Sequence, residues 1–287
     1  MMPTTPRELA AHLHAVLDQA GIPAADTEAE WLVAASLGVS RTELYVWESP
    51  LAPEALETIQ HRLWRRLAGE PLPYCIGEAE FCGHRLTVSP AVLIPRPETE
   101  VLVEEAIRRL RTLRADTLAD LPVLEVGTGS GGIAISLAKA VPTCVLIAVE
   151  LSWTALLTAA ANAGVHRVAH RIQLVQTDWT SGVRGPCSLI VANPPYVPTD
   201  DVERMLAGGG REPRLSLDGG PDGMQWHRRL LEDAPRLLAP GGALGMECAE
   251  DQAQRLAVLA RSQPWAARTQ VYHDLTGRPR GLWIDRR

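Results

Sequence analysis

Residues 193–196 read Asn-Pro-Pro-Tyr and directly follow the apolar run at 189–192. The apolar run predicts a buried strand, and the two prolines predict a rigid turn at its end. The side-chain oxygen of Asn193 and the carbonyl of Pro194 are neighbouring acceptors, so together they can bind both hydrogens of one NH2 group. Tyr196 adds a flat wall for a planar substrate.

The chemistry indicated is N-methylation of a planar amide or of an exocyclic amine. We therefore assign catalytic roles to Asn193 and Pro194, and substrate binding to Asn193, Pro194, Pro195 and Tyr196. A strand that simply ends at two prolines explains the same four residues equally well, because proline is a common turn residue.

Residues 125–132 read Glu-Val-Gly-Thr-Gly-Ser-Gly-Gly, after a predicted strand and before a predicted helix. Their spacing satisfies the dinucleotide-binding pattern G-x-G-x-x-G, in which glycines permit a tight turn and a close approach of ligand to backbone. Glu150 ends the next predicted strand, where a carboxylate can accept hydrogen bonds from both ribose hydroxyls. These features suit NAD and S-adenosylmethionine equally. The candidate cofactor-binding residues of this turn are Gly127, Thr128, Gly129, Ser130 and Gly131.

The ends of the next two strands favour S-adenosylmethionine. Asp178 and Trp179 follow the third strand, where they suit an adenine amino group and its ring face. Asn193 follows the fourth strand, and no acid or base suited to hydride transfer lies there. Strand ends of such sheets meet at one edge, where ligands bind. The alternative for Asp178 and Trp179 is a helix cap and a packed indole.

The elements that must position these residues follow from periodicity. Continuous apolar strands alternate with helices after residue 121, which predicts a parallel, doubly wound α/β sheet. Residues 1 to about 70 have helical spacing, with a capping-box pattern at 40–43. The alternation at 81–88 predicts a hairpin. We predict a helical domain at 1–72, a β-hairpin linker at 73–95, and a catalytic α/β domain at 96–287.

Composition excludes several classes of protein. The chain has 287 residues, a formal charge of −6 and 46% hydrophobic residues. No apolar run is long enough for a membrane span, and the first residues lack the pattern of a signal peptide. The five cysteines are scattered, so neither a disulfide framework nor a metal site is expected. We expect a cytoplasmic protein without a metal and without a membrane or stable nucleic-acid partner.

These motifs together resemble the release-factor glutamine N5-methyltransferases of the PrmC/HemK type. The resemblance covers nearly the whole chain, and it includes the string Pro-Arg-Pro-Glu-Thr-Glu at 95–100 and the segment 212–223. It implies a seven-stranded, Rossmann-like methyltransferase sheet that carries an N-terminal helical recognition domain. This chain departs from the family pattern at Glu125 and Glu150, where aspartate is usual.

The resemblance also implies the ligands. S-adenosylmethionine would be bound by the glycine turn with Glu150, Trp179 and Asn193, and residues 193–196 would bind the glutamine of the Gly-Gly-Gln motif of bacterial class I release factors. We expect a monomer. The alternatives are a ribosomal-protein glutamine methyltransferase, an adenine N6-methyltransferase acting on nucleic acid, and a non-catalytic binding protein that retains the cofactor fold.

Overall fold

The computed structural model describes residues 5–47, 49–112 and 118–287. The predicted lack of a signal peptide concerns the first residues of the chain, and of these Met1–Thr4 lie outside the described residues. The chain divides into a helical unit, residues 1–78, and a sheet unit, residues 79–287. The hairpin predicted as a linker falls almost entirely in the sheet unit. None of the described helices is long and apolar enough to cross a membrane.

The helical unit has its own hydrophobic core, which includes Leu17, Leu32 and Ile59. A capping box between Thr5 and Glu8 begins its first helix. Its described residues form the helices α1 (Pro6–Gln19), α2 (Ala25–Leu37), α3 (Pro53–Leu67) and α4 (Leu72–Ile76).

One expected helix of this unit is reduced to a single turn. Ser40 and Glu43 make the two reciprocal hydrogen bonds of a capping box, at 2.6 and 3.3 Å. Only the 3-10 turn Glu43–Tyr45 follows them. Pro50 and Pro53 lie shortly after this turn, and proline disfavours helix in the residue before it.

A hairpin begins the sheet unit, as predicted. Strands β1 (Glu78–Phe81) and β2 (His84–Thr87) are joined by Cys82 and Gly83. Both turn residues have positive φ, 49° and 70°, as a two-residue turn between twisted strands requires. The N–H of Cys82 also donates to Glu100 Oε1 at 2.7 Å, and this contact fixes the hairpin against the helix that follows.

The other strands among the described residues form one seven-stranded sheet in the order β5-β4-β3-β6-β7-β9-β8. β9 is antiparallel to both β7 and β8, and the other pairs are parallel. Their bounds are β3 (Val123–Val126), β4 (Leu146–Glu150), β5 (Ile172–Gln176), β6 (Cys187–Ala192), β7 (Leu238–Glu247), β8 (Ala266–His273) and β9 (Pro279–Arg286).

Helices cover both faces of the sheet, and one hydrophobic core lies on each face. One core includes Leu102 and Ile135, and the other includes Leu231 and Leu256. The helices are α5 (Pro97–Thr112), α6 (Gly132–Ala140), α7 (Trp153–Val165), α8 (Thr199–Ala207), α9 (Gln225–Leu237) and α10 (Ala253–Arg261).

Strand register brings the carboxyl ends of the central strands together. Val126 pairs with Val149 of β4 and with Ala192 of β6, and Ala192 pairs with Met246 of β7. The residues that follow these four positions therefore lie side by side at one edge of the sheet. They are Gly127, Glu150, Asn193 and Glu247.

Candidate active site

Residues 127–131, the glycine turn, connect β3 to α6. Gly127, Gly129 and Gly131 have φ of 76°, 55° and 84°, a region that other residues rarely adopt. A Cβ at Gly127 or Gly129 would meet no protein atom within 4 Å, whereas one at Gly131 would lie 3.2 Å from the Cβ of Ala159. Gly127 and Gly129 thus leave open space for a ligand, and Gly131 permits close packing of α6 against α7.

Glu150 is fixed by backbone donors beside the glycine turn. Its Oε1 accepts hydrogen bonds from the N–H groups of Leu151 and Ser152, at 2.9 and 3.0 Å. Its Oε2 accepts from the N–H of Gly129 at 3.0 Å. The carboxylate is therefore preorganised at the cavity edge, and Oε2, which accepts only one of the three bonds, keeps a lone pair for a hydroxyl donor.

Glu125 lies beneath the same turn and is 1% exposed. Its Oε2 accepts from Thr128 Oγ1 at 2.7 Å, while Oε1 has no partner among the described residues. Burial raises the pKa of this carboxyl to about 8. Glu125 also lines the cavity described below, so a buried carboxyl that retains its proton at neutral pH lies beneath the glycine turn.

Two indoles meet beyond the end of β5. The ring centroids of Trp179 and Trp226 are 4.9 Å apart, and the guanidinium of Arg229 lies about 6 Å from both rings. Trp179 has φ of 57°, an uncommon conformation for a bulky residue and one that clusters at ligand sites. Asp178 forms an ion pair with Arg229 at 3.2 Å. This corner can hold a flat ring.

Residues 193–196, the acceptor turn, follow β6 at the sheet edge. Asn193 Nδ2 donates to Thr99 Oγ1 at 3.0 Å, which leaves the amide oxygen of Asn193 as an acceptor for a ligand. Tyr196 turns its hydroxyl towards the buried carboxyl of Glu247, with Oη 3.4 Å from Oε1. Burial raises the pKa of Tyr196 and raises that of Glu247 to about 7.

The segment 217–223 supports the backbone of the acceptor turn. The N–H of Val197 donates to the carbonyl of Leu217, and the N–H of Gly219 donates to the carbonyl of Val197, at 2.9 and 2.8 Å. A Cβ at Gly219 would lie 2.7 Å from the Cα of Tyr196, so only glycine fits there. This close approach explains why glycines follow the motif in the sequence.

Two cavities meet at Asn193. The larger cavity has a volume of about 370 Å³, which is within the usual range for small-molecule sites. The smaller cavity has a volume of about 150 Å³. Asn193 and Arg96 line both.

The candidate residues divide between these cavities. The larger one is lined by Gly127, Thr128, Gly129, Ser130, Glu150, Asp178, Trp179, Asn193 and Pro195. The smaller one is lined by Asn193, Pro194 and Tyr196. Gly131 lines neither, and its contact with α7 accounts for its presence. Among the described residues, no group of three or more His, Cys, Asp or Glu side chains could hold a metal.

Sequence reasoning assigned no role to Thr99, Glu247 or Trp226. Thr99 belongs to the 95–100 string, which was noted only as a resemblance. Glu247 was recognisable, because a carboxyl at the end of an apolar strand lies where the other site residues lie. Trp226 belongs to α9, which is far from Trp179 in sequence, and no local pattern indicates that the two rings are in contact.

Comparison with known proteins adds two kinds of similarity. Residues 8–77 match the family described as the PrmC N-terminal domain, and residues 107–209 match the family described as the methyltransferase small domain. The release factor glutamine methyltransferase of Moorella thermoacetica is 41% identical over 269 residues, which cover 93% of each chain. The human MTRF1L release factor glutamine methyltransferase is 35% identical, over 97% of this chain and 87% of the human one.

Solved structures show the fold. The catalytic domain of human Mettl16, crystallised with a MAT2A 3′UTR hairpin, has a TM-score of 0.54 at 14% identity, over 80% of this chain and 81% of that one. The Thermus thermophilus 16S rRNA methyltransferase RsmC, in complex with AdoMet and guanosine, has a TM-score of 0.51 at 18% identity. The match covers 73% of this chain and 50% of that one. Both support the methyltransferase-type sheet described above.

Proposed function

The chain belongs to the release factor glutamine methyltransferase family, and on that premise we propose its reaction and substrate. The protein transfers the methyl group of S-adenosylmethionine to the side-chain amide nitrogen of a glutamine. The substrate is the glutamine of the Gly-Gly-Gln motif in bacterial class I release factors. The methylated protein is therefore the release factor, which ends translation.

The observation that carries this proposal is the orientation of Asn193 at the meeting point of the two cavities. Its N–H is bonded to Thr99, so its oxygen is the atom left to bind a substrate NH2 group. Pro194 supplies a second acceptor in the smaller cavity. Two adjacent acceptors suit an amide NH2, which carries two donors in one plane.

The larger cavity fits S-adenosylmethionine by its shape and charge. The open space at Gly127 and Gly129 lets a ligand contact the backbone, and Glu150 suits the ribose hydroxyls. The corner of Trp179 and Trp226 suits an adenine ring. S-adenosylmethionine, when bound, supplies an activated methyl group.

The acceptor turn does its work by positioning. An amide nitrogen is a weak nucleophile because its lone pair is delocalised into the carbonyl. Holding it in line for attack can contribute up to roughly 7–11 kcal/mol. The Asn193 oxygen and the Pro194 carbonyl fix the plane of the NH2 group, and they also stabilise the positive charge that grows on nitrogen. The surplus proton then leaves to water.

The helical unit is our candidate for recognising the release factor. It matches the PrmC N-terminal domain, and it exposes large apolar side chains that its own core does not use. Tyr45 is 59% exposed, Val46 77% and Trp64 63%. Exposed aromatic side chains are typical anchors of protein–protein interfaces.

A methyl-transfer assay tests the proposed function. The purified protein is incubated with labelled S-adenosylmethionine and, in parallel, with a class I release factor, ribosomes, DNA or RNA. We expect label only on the release factor, and peptide mass spectrometry should place one added methyl group on the glutamine of Gly-Gly-Gln. A factor with that glutamine replaced is the matched control. Label on ribosomal protein or nucleic acid, with none on the factor, would refute the proposal.

A further inference from the structure

Glu247 is a buried carboxyl behind the acceptor turn for which the proposed reaction gives no role. It ends β7, which runs beside β6, and it is 2% exposed. Tyr196 Oη lies 3.4 Å from its Oε1, and the nearby Thr99 side chain lowers the pKa that burial raises. Its Oε2 has no further partner among the described residues. A carboxyl buried at this depth carries a desolvation cost, so its position calls for a role.

Thr99 links this carboxyl to the acceptor turn. Thr99 is 4% exposed and lies in the first turn of α5. Its Oγ1 accepts the hydrogen bond from Asn193 Nδ2 at 3.0 Å. Because Thr99 Oγ1 accepts from Asn193, its one hydroxyl proton is available to the nearby carboxyl of Glu247. In that arrangement the Asn193 N–H donates to the Thr99 hydroxyl, and the hydroxyl donates to the Glu247 carboxylate.

We propose that Thr99 and Glu247 are positioning residues that hold the Asn193 side chain in one of its two amide orientations, with oxygen facing the substrate. This inference rests on the proposed function, because it concerns how Asn193 binds a glutamine amide. Neither residue touches the reacting atoms. Both act through Asn193.

The direction of the hydrogen bonds explains why a carboxylate is needed. An ionised carboxyl can only accept, so it requires the Thr99 hydroxyl to donate towards it. A hydroxyl has one proton, so Thr99 can then only accept from Asn193. Without Glu247, the Thr99 hydroxyl could donate to the Asn193 oxygen and stabilise the flipped amide. A flipped Asn193 would present its N–H groups to the substrate NH2 group. Two hydrogen-bond donors cannot form a hydrogen bond with each other, so the substrate would not be held.

The Glu247 carboxyl also contacts Tyr196, the last residue of the acceptor turn. Tyr196 Oη lies 3.4 Å from Glu247 Oε1. One buried group therefore contacts Tyr196 directly and Asn193 through Thr99. This arrangement couples the first and last residues of the Asn-Pro-Pro-Tyr segment to the end of β7.

The test compares Thr99→Val, which removes only the hydroxyl, with Thr99→Ser, which keeps it. Release-factor methylation is measured at about pH 8, where a carboxyl with a pKa of about 7 is mostly ionised. We expect Thr99→Val to lower kcat on the order of 10²-fold, as loss of one preorganised contact does. We expect Thr99→Ser to stay within about threefold of wild type, because its hydroxyl can make the same bonds. S-adenosylmethionine affinity should change little in both.

A double-mutant cycle separates positioning from general destabilisation. If Thr99 acts through Asn193, adding Thr99→Val to Asn193→Ala should cost nothing more, because the two effects share one contact. A full further loss in the double variant, or normal kcat in Thr99→Val, would overturn the inference. If Thr99→Val does not fold, Glu247→Gln takes its place, since its amide both donates and accepts and should also lower kcat.

A second measurement distinguishes failure of this inference from failure of the proposed function. If the wild-type enzyme methylates no release factor, the orientation of Asn193 can still be read from the NMR signals of its side-chain NH2 group. The hydrogen-bonded proton should shift upfield in Thr99→Val and remain in place in Thr99→Ser. Identical signals in wild type and Thr99→Val would contradict the inference without any activity assay.

Discussion

Glu150 illustrates how neighbouring backbone groups fix the position of a single side chain. Three backbone N–H groups hold its carboxylate at the mouth of the larger cavity. The cost of orienting the carboxylate is therefore met in the folded protein before any ligand arrives. A glutamate carries its charge one methylene further from the backbone than an aspartate would.

We expect Glu150→Ala to weaken S-adenosylmethionine binding through the loss of charge-assisted hydrogen bonds, each worth roughly 1.5–3 kcal/mol. Calorimetry measures the dissociation constant directly. Asp251→Ala, on the surface beside α10, is the matched loss of one negative charge. Equal affinities for Glu150→Ala and Asp251→Ala would show that Glu150 does not bind the ribose.

Glu125 predicts a pH dependence of stability. Burial raises its pKa in the folded state from 4.5 to about 8. Between these pH values the folded protein retains a proton that the unfolded chain releases, so this group lowers stability as pH rises through that window. Glu125→Gln removes this contribution. The unfolding free energy of the Glu125→Gln variant should therefore fall less than that of the wild type as the pH rises from about 5 to 8.

Urea denaturation of the ligand-free protein at several pH values gives the comparison. The relevant quantity is the difference between wild type and variant, because other groups titrate equally in both. A constant difference across this range would mean that the Glu125 carboxyl has an ordinary pKa.

At the scale of elements, the sequence predicted most strands and fewer of the helices. The apolar run at 189–192 lies within β6, because strands buried on both faces consist almost wholly of apolar residues. Helices α4, α8 and α10 were not predicted. α8 is short and follows a proline-rich segment, so its periodicity covers too few residues to stand out.

The close contact between Gly219 and the acceptor turn gives a prediction for the loop after β6. The nearest atoms to an added Cβ are backbone atoms of Tyr196 and Gly223, at 2.7–2.8 Å, so they cannot rotate away. We expect Gly219→Ala to displace the acceptor turn and to lower kcat at least tenfold, a loss typical of small misplacements at a site. S-adenosylmethionine affinity should change much less.

Gly164→Ala is the control for this prediction. Gly164 lies in α7, where an added Cβ would meet nothing within 4 Å, and alanine is the better helix former. Both variants are assayed for methyl transfer and for cofactor binding. Equal turnover by the two would show that the loop does not fix the acceptor turn.

At the scale of the whole molecule, the two units have separate cores. The core of the helical unit contains residues between Leu9 and Ile76, and both cores of the sheet unit lie beyond residue 80. We therefore expect a chain lacking residues 1–77 to fold and to bind S-adenosylmethionine with nearly normal affinity. Methylation of an intact release factor should fall sharply, because the proposed docking surface is gone.

The truncated chain is first checked for cooperative unfolding and for cofactor binding by calorimetry. Initial rates on an intact release factor and on a short Gly-Gly-Gln peptide then separate docking from chemistry. The loss should be confined to the intact factor. Equal rates of the truncated and full-length enzymes on the intact factor would exclude a docking role for the helical unit.

The sequence located the acceptor turn but could not give the environment of its side chains. Residues 193–196 were recognisable because prolines at a strand end are locally encoded. The hydrogen bond from Asn193 to Thr99 joins residues 94 positions apart, and the contact of Tyr196 with Glu247 spans 51 positions. Such contacts depend on strand order and helix placement, which local patterns do not determine.

The most direct test of the proposed function is the kcat of Asn193→Ala on a class I release factor, measured alongside its affinity for S-adenosylmethionine. Removing one of the two acceptors leaves the Pro194 carbonyl unable to fix the amide plane. We predict a fall in kcat on the order of 10²–10³-fold, with a much smaller change in cofactor affinity. Turnover close to wild type would contradict the central claim, because residues 193–196 would then serve only to end a strand.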